Sequence, residues 1–182
     1  DSVSETGKSV VSFEAFAYEN RIAELTVTVA DTLRMELTTT NLSAEEFRLT
    51  EAFHSYFAVS DVTRIRISGL DKAEYLDTLT GMRHIQEEDI RFSAETDRIY
   101  DSSAAECVIH DPAHTKAIHV RKEGSLSTVV WNPWIAKSRR MPDFGDDEYL
   151  GMVCVETANA GNDFRILKQG DKQTLKVEIA LQ

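Results

Sequence analysis

A chain of 182 residues with 42% hydrophobic and 28% charged side chains has enough material for a hydrophobic core and an ordinary globular composition. Its 31 acidic residues outweigh 20 basic ones, and the net charge of -11 argues against nucleic acid or an anionic membrane surface as the main partner. A small phosphorylated substrate is still compatible, because a few clustered arginines override the global field locally.

The first eight residues are small and polar and read as a frayed end. Residues 10–19 then alternate as a strand, with Val11, Phe13, Ala15 and Ala17 set against Ser12, Glu14 and Phe16. Leu25, Val27 and Val29 alternate with threonines, and Leu33, Met35 and Leu37 alternate with Arg34, Glu36 and Thr38. The turn-like Ala30-Asp31-Thr32 between them predicts a hairpin. A second turn at residues 41–45 leads into a strand over 47–53. Residues 62–67 alternate arginine with isoleucine and close on Ser68-Gly69-Leu70-Asp71, while 72–88 reads as a loop with a short helical turn. Short β-like segments follow at 92–100, 105–109, 116–121 and 127–131, and 143–149 is acidic and irregular, with one helical turn.

The stretch 151–160 alternates like a strand, so that Met152, Cys154 and Glu156 share one face and Val153, Val155 and Thr157 the other. Leu175, Val177, Ile179 and Leu181 finish the chain with the same period. Neither a sustained helical period nor a repeat nor a linker interrupts it. The expectation is one all-β domain, a sandwich or barrel, over residues 1–182.

Cys107 and Cys154 sit in apolar β-like segments without metal-type spacing, which predicts buried free thiols and a reducing cytoplasm. No apolar run approaches the length of a membrane span, and the chain starts with Asp1 with no targeting segment visible. The five histidines form no H-x-x-x-H or H-x-H pair beside a carboxylate, so no metal site is predicted. His119 reads as a surface or core residue of a strand, and a bond from Asp111 is expected to hold His110.

His54 stands apart, because it ends Glu51-Ala52-Phe53 and precedes Ser55-Tyr56-Phe57, an ionisable ring among aromatic neighbours. Such a histidine is either a satisfied core residue or a general acid or base near neutral pH. Glu156, on a face with Met152 and Cys154, is likewise either a structural acceptor or a carboxyl with a raised pKa. Asp97 reads as half of a surface pair with Arg98, and Trp131 and Trp134 suit either core packing or a sugar face. The acidic Asp143-Phe144-Gly145-Asp146-Asp147-Glu148 lacks the oxygen spacing of a calcium loop.

Glu51-Ala52-Phe53-His54-Ser55-Tyr56-Phe57, with Val59, Asp61-Val62 and Ile67-Ser68-Gly69-Leu70 after it, resembles the central motif of the glucose-6-phosphate 1-epimerases. These hexose-6-phosphate mutarotases belong to the aldose 1-epimerase superfamily, with the apospory-associated protein C homologues. Thr96-Asp97-Arg98-Ile99-Tyr100, Val108-Ile109-His110-Asp111-Pro112, Val129-Val130-Trp131-Asn132-Pro133-Trp134, Asp143 to Tyr149 and Val153-Cys154-Val155-Glu156-Thr157-Ala158-Asn159 continue the resemblance in order.

The resemblance implies a galactose-mutarotase-like β-supersandwich, with His54 and Glu156 as the catalytic pair in one cleft, on opposite sides of a pyranose-sized gap, and Asp97 binding sugar hydroxyls. It implies acid–base exchange of anomers on a small hexose phosphate, without cofactor or metal, since no carbon changes oxidation state. It also implies an additional N-terminal region, with an Arg-Gly-Gly-type segment and phosphate-binding arginines, that nothing here matches. The chain is thus expected to be the larger C-terminal part of the family domain, with open sheet edges that favour self-association. Arg83, Arg139 and Arg140 carry no assigned role in phosphate binding. Two other readings compete: a carbohydrate-binding module or inactive fragment without turnover, and a glycosidase using Glu156 with Asp97, which would leave His54 without a task.

Overall fold

The computed structural model describes residues 2–5, 9–103 and 106–182. The first strands are β1 (Ser2–Glu5), β2 (Ser9–Tyr18), β3 (Arg21–Val29), β4 (Leu33–Asn41), β5 (Phe47–Leu49) and β6 (Glu51–Phe53). Then come β7 (Tyr56–Ala58), β8 (Arg66–Ser68), β9 (Glu74–Asp77), β10 (Met82–Ile85), β11 (Thr96–Tyr100) and β12 (Glu106–His110). The series ends with β13 (Ile118–Glu123), β14 (Ser127–Asn132), β15 (Met152–Asn159), β16 (Arg165–Leu167) and β17 (Lys172–Leu181). One short helix, α1 (Trp134–Ser138), and a 3-10 turn (Glu148–Gly151) lie between β14 and β15.

All strand pairs are antiparallel. An eight-stranded sheet runs β1-β2-β3-β4-β17-β13-β12-β8, and a second sheet runs β10-β9-β11-β14-β15-β6, with β7 also on β15. Strands β16 and β5 form a separate ribbon. The core lies between the two sheets: Ile67, Cys107, Ile109, Val120 and Val177 from the first meet Phe57, Tyr100, Val130, Val153 and Val155 from the second. All eight residues of β15 are buried, which makes it the most enclosed strand. None of the nine residues of β3 is buried.

Several details depart from the sequence reading. Ser2–Glu5 pairs with β2 rather than fraying, while Asp1 and residues 6–8 lie outside the described residues, as does the predicted strand start at 105. Residues 72–88 form the β9–β10 hairpin, not a helical loop. The Asp77 carboxylate accepts from the Leu79 and Thr80 N–H groups (2.9 and 3.2 Å) and turns the chain, with Gly81 at φ +72°. Every residue of β10 is exposed, so no apolar alternation marks it. Only Arg66–Ser68 of the predicted 62–67 strand pairs as one. Asp61 caps a turn there instead, accepting from Thr63 N–H at 2.9 Å, and Val62, Ile65 and Ile67 are all fully buried. The core therefore collects that apolar spacing through a turn.

Candidate active site

The second sheet places the candidate residues by register. Phe53 stands opposite Thr157 and Tyr56 opposite Cys154, so the two residues between β6 and β7 face the middle of β15. The ladder is interrupted there, where Ser55 N–H turns back to the Phe53 carbonyl at 2.9 Å. In the continuing register His54 faces Glu156. Their side chains meet: His54 Nε2 lies 3.4 Å from Glu156 Oε1. On the other side of β15, Trp131 of β14 stands opposite Cys154, and Asp97 of β11 opposite Trp131. One face of the sheet thus carries Asp97, Trp131, Cys154 and Tyr56 in a row, with the His54–Glu156 pair beside it.

The period of two separates β15 into a core face and a site face. Val153 and Val155 belong to the main core, whereas Met152 and Cys154 pack with Trp131 in a smaller cluster that Met141 and Phe144 cover. Glu156 extends this second face into a hollow of about 420 Å³ lined by His54, Tyr56, Asp97, Val129, Trp131, Lys137, Met141 and Glu156. That volume is in the range of small-molecule sites.

The imidazole is fixed on three sides. Tyr56 stacks on it (centroids 4.8 Å, planes 12° apart), Trp131 meets it edge-on at 5.8 Å, and Nδ1 lies 3.7 Å from the Cys154 thiol. The two members of the pair differ in solvation: the His54 side chain is 52% exposed and that of Glu156 only 7%. Burial pushes the Glu156 carboxyl up to about 7, and the charge of Asp97 adds to the rise. Burial also raises the Cys154 thiol, with Glu156 contributing, and so keeps it protonated. The Tyr56 hydroxyl is raised by burial first, then by the nearby Cys154 and Glu156.

The sequence reading expected His54 and Glu156 across a pyranose-sized gap. They are in direct contact instead, and the hollow lies alongside the pair. Asp97 does not pair with Arg98, its neighbour on the opposite face of β11, whose guanidinium donates to Gln86 at 3.1 Å. Its carboxylate is 3.9 Å from Lys137 Nζ, which also lies 3.6 Å from Glu95 and 5.4 Å from the Trp131 ring centroid. Trp131 lines the hollow, whereas Trp134 packs against Tyr149 and the main core.

The sequence reading missed Lys137, because the helix carrying it is a single turn after Pro133 with no apolar period. Tyr56 lay inside the quoted motif without a role. Neither Arg83, held by Glu74 and Asp101 at 2.7 and 2.6 Å, nor Arg139 nor Arg140 lines the hollow. His110 takes its bond from Ser68 (2.9 Å), not from Asp111, which instead accepts from Ser60 N–H and hydroxyl, both at 2.6 Å. His119 is bonded to Glu106 at 2.7 Å. Both cysteines are free and buried. Although no sequence-local metal pattern exists, the fold gathers donor atoms of His54, Cys154 and Glu156 within 4.8 Å of one another.

Comparison with known proteins points one way. A family model described as Aldose 1-epimerase matches residues 16–180. A protein of Cenchrus ciliaris named "Putative glucose-6-phosphate 1-epimerase" is 40% identical over 128 residues, which cover 69% of this chain and 39% of that protein. An Escherichia coli (strain K12) protein of the same name is 36% identical over 126 residues, 68% of this chain and 42% of that one. The crystal structure of a mutarotase, so named as putative, from Salmonella typhimurium superposes with a TM-score of 0.82 at 27% identity, covering 96% of this chain and 60% of that one. The chain therefore spans about two fifths of the length of those two sequence relatives. Its all-β architecture is that of the galactose-mutarotase-like sandwiches.

Proposed function

The chain belongs to the aldose 1-epimerase family, and on that premise we propose that its cleft interconverts the α and β anomers of a hexose 6-phosphate, glucose 6-phosphate foremost. The observation that carries the proposal is the 3.4 Å contact between His54 Nε2 and Glu156 Oε1 at a hollow that Asp97 and Trp131 also line.

Anomer exchange requires a base at the C1 hydroxyl and an acid at the ring oxygen. Both oxygens are bonded to the same carbon, so their two partners must also be close neighbours. A touching pair on facing strands suits this better than groups across the width of a ring. Ionised Glu156 takes the C1 hydroxyl proton while protonated His54 donates to the ring oxygen, and the bond between C1 and that oxygen breaks. Rotation about C1–C2 and closure on the other face, with both transfers reversed, give the other anomer. The productive state therefore has the proton on the imidazole and not on the carboxylate. His54, half open to solvent, exchanges that proton with bulk water, and Glu156 stays in the dry wall of the hollow.

Asp97 accepts from ring hydroxyls, and Trp131 forms the apolar floor. Lys137 is the cation lining the hollow among the described residues. It is shared between Asp97 and Glu95 and is placed to meet an anionic substituent. Residues 1–182 work in this proposal as one β-sandwich unit. The two buried free thiols support a reducing, cytoplasmic setting.

Polarimetry on freshly dissolved α-glucose 6-phosphate tests the reading, with faster approach to equilibrium rotation expected. His54→Ala and Glu156→Gln are each expected to reduce the acceleration by about 10²–10⁴-fold while sugar binding persists. Binding without acceleration by the unsubstituted chain would make the protein a carbohydrate-binding module. Variants as fast as the parent would remove the assigned pair.

A further inference from the structure

The residues that meet at the pair include a third chemically distinct group, the Cys154 thiol, for which anomer exchange has no use. Cys154 and Glu156 are two residues apart on the site face of β15, and His54 stands over both. Cys154 Sγ is 3.7 Å from His54 Nδ1, and one donor atom from each of the three residues falls within a 4.8 Å span. In a tetrahedral zinc site, metal bonds of about 2.0–2.3 Å place neighbouring donors roughly 3.5 Å apart. The Cys154 sulfur has that spacing to Nδ1, whereas Glu156 Oε1 lies 3.4 Å from the other ring nitrogen, Nε2, so an ion held through one nitrogen requires the remaining donor to draw in from within the 4.8 Å span. Of the three, His54 and Glu156 line the hollow, so the open side of such a site is the one from which water would complete the coordination.

We propose that His54, Cys154 and Glu156 form a binding site for a thiophilic divalent cation of the zinc class. Thiolate with imidazole selects zinc or cadmium over magnesium or calcium, which prefer all-oxygen sites. Burial disfavours an isolated thiolate and an isolated carboxylate at this position, and a dication between them cancels both charges. On binding, the metal displaces the thiol proton, and any proton on Glu156, to solvent. The imidazole binds through a neutral nitrogen lone pair. The bound cation occupies both the carboxylate and the ring, so sugar and metal exclude one another. That competition rests on the mutarotase reading; the binding itself does not.

The purified full chain titrated with cadmium is expected to show the ultraviolet thiolate-to-metal charge-transfer band, saturating at one equivalent. Cys154→Ser is expected to abolish the band, whereas Cys107→Ser, altering a buried thiol with no such neighbours, leaves it intact. His54→Ala is expected to weaken binding at least about tenfold, and Glu156→Gln similarly. Circular dichroism of each variant separates loss of the site from loss of fold. Zinc is expected to compete with cadmium, and excess calcium is not. A band that survives Cys154→Ser, disappears with Cys107→Ser, or is unaffected by His54→Ala overturns the proposal, as does the absence of any band. If polarimetry shows no mutarotase activity but the titration behaves as described, only the functional reading falls.

Discussion

At Glu156, burial holds a proton on the folded chain, up to about pH 7, that an unfolded chain with an ordinary carboxyl near 4.5 has already released. Stability therefore falls as pH rises from the unfolded value to the folded one. Above it the carboxylate costs on the order of 3 kcal/mol before any offset from His54. Glu156→Gln is expected to raise the thermal midpoint when measured well above that folded value, to leave it nearly unchanged near pH 4, and to remove activity at the higher pH. The parent's rate is expected to decline as pH drops through about 7, because the base must be ionised. His54 and Glu156 were legible in the sequence as odd chemistry among apolar neighbours and as motif positions, and Asp97 as a motif position alone. Their contact was not, because 102 positions separate the pair and only strand register brings them together. The sulfur beside the imidazole was hidden for the same reason, and Lys137 because its single helical turn carries no apolar period.

Among the elements, those whose apolar residues alternate were readable: β3, β4, β14, β15 and β17 lie close to where the period of two puts them. The β9–β10 hairpin escaped because its outer strand is exposed along its whole length, and α1 because a single turn has no period to show. The turn between β13 and β14 is the most constrained in the eight-stranded sheet's neighbourhood. Gly124 has φ +75°, and a Cβ there would lie 2.0 Å from the Thr174 carbonyl oxygen. Its own carbonyl accepts from Gln173 at 2.7 Å and from Asn159 at 3.1 Å. Gly124→Ala must move the backbone of β17, and a loss of about 2 kcal/mol or more is expected in urea unfolding.

At the scale of the whole molecule, burial is uneven. Every residue of β15 is enclosed, and none of β3 is, although both strands have paired neighbours on either side. Hydrogen bonds without apolar cover contribute little net stability. Amide exchange is expected to release β3 through openings several kcal/mol cheaper than those releasing β15, which exchanges only with global unfolding. Equal protection in the two strands would show that β3 is as firmly held as the centre. The general class was readable at this scale from the absence of helical periods, but the division into a well-covered and a sparsely covered half was not, since Leu25 and Val27 alternate as cleanly as the residues of β15. The facing positions of His54 and Glu156 carry one more implication. Their separation is the width between two neighbouring strands, so in the proposed mechanism the two groups need no hinge motion to meet. Such a centre is finished when the sheet is finished. A slip of the 51–58 segment by one position along β15 would turn the imidazole to the opposite side, silencing the chemistry in a molecule whose overall shape hardly changed.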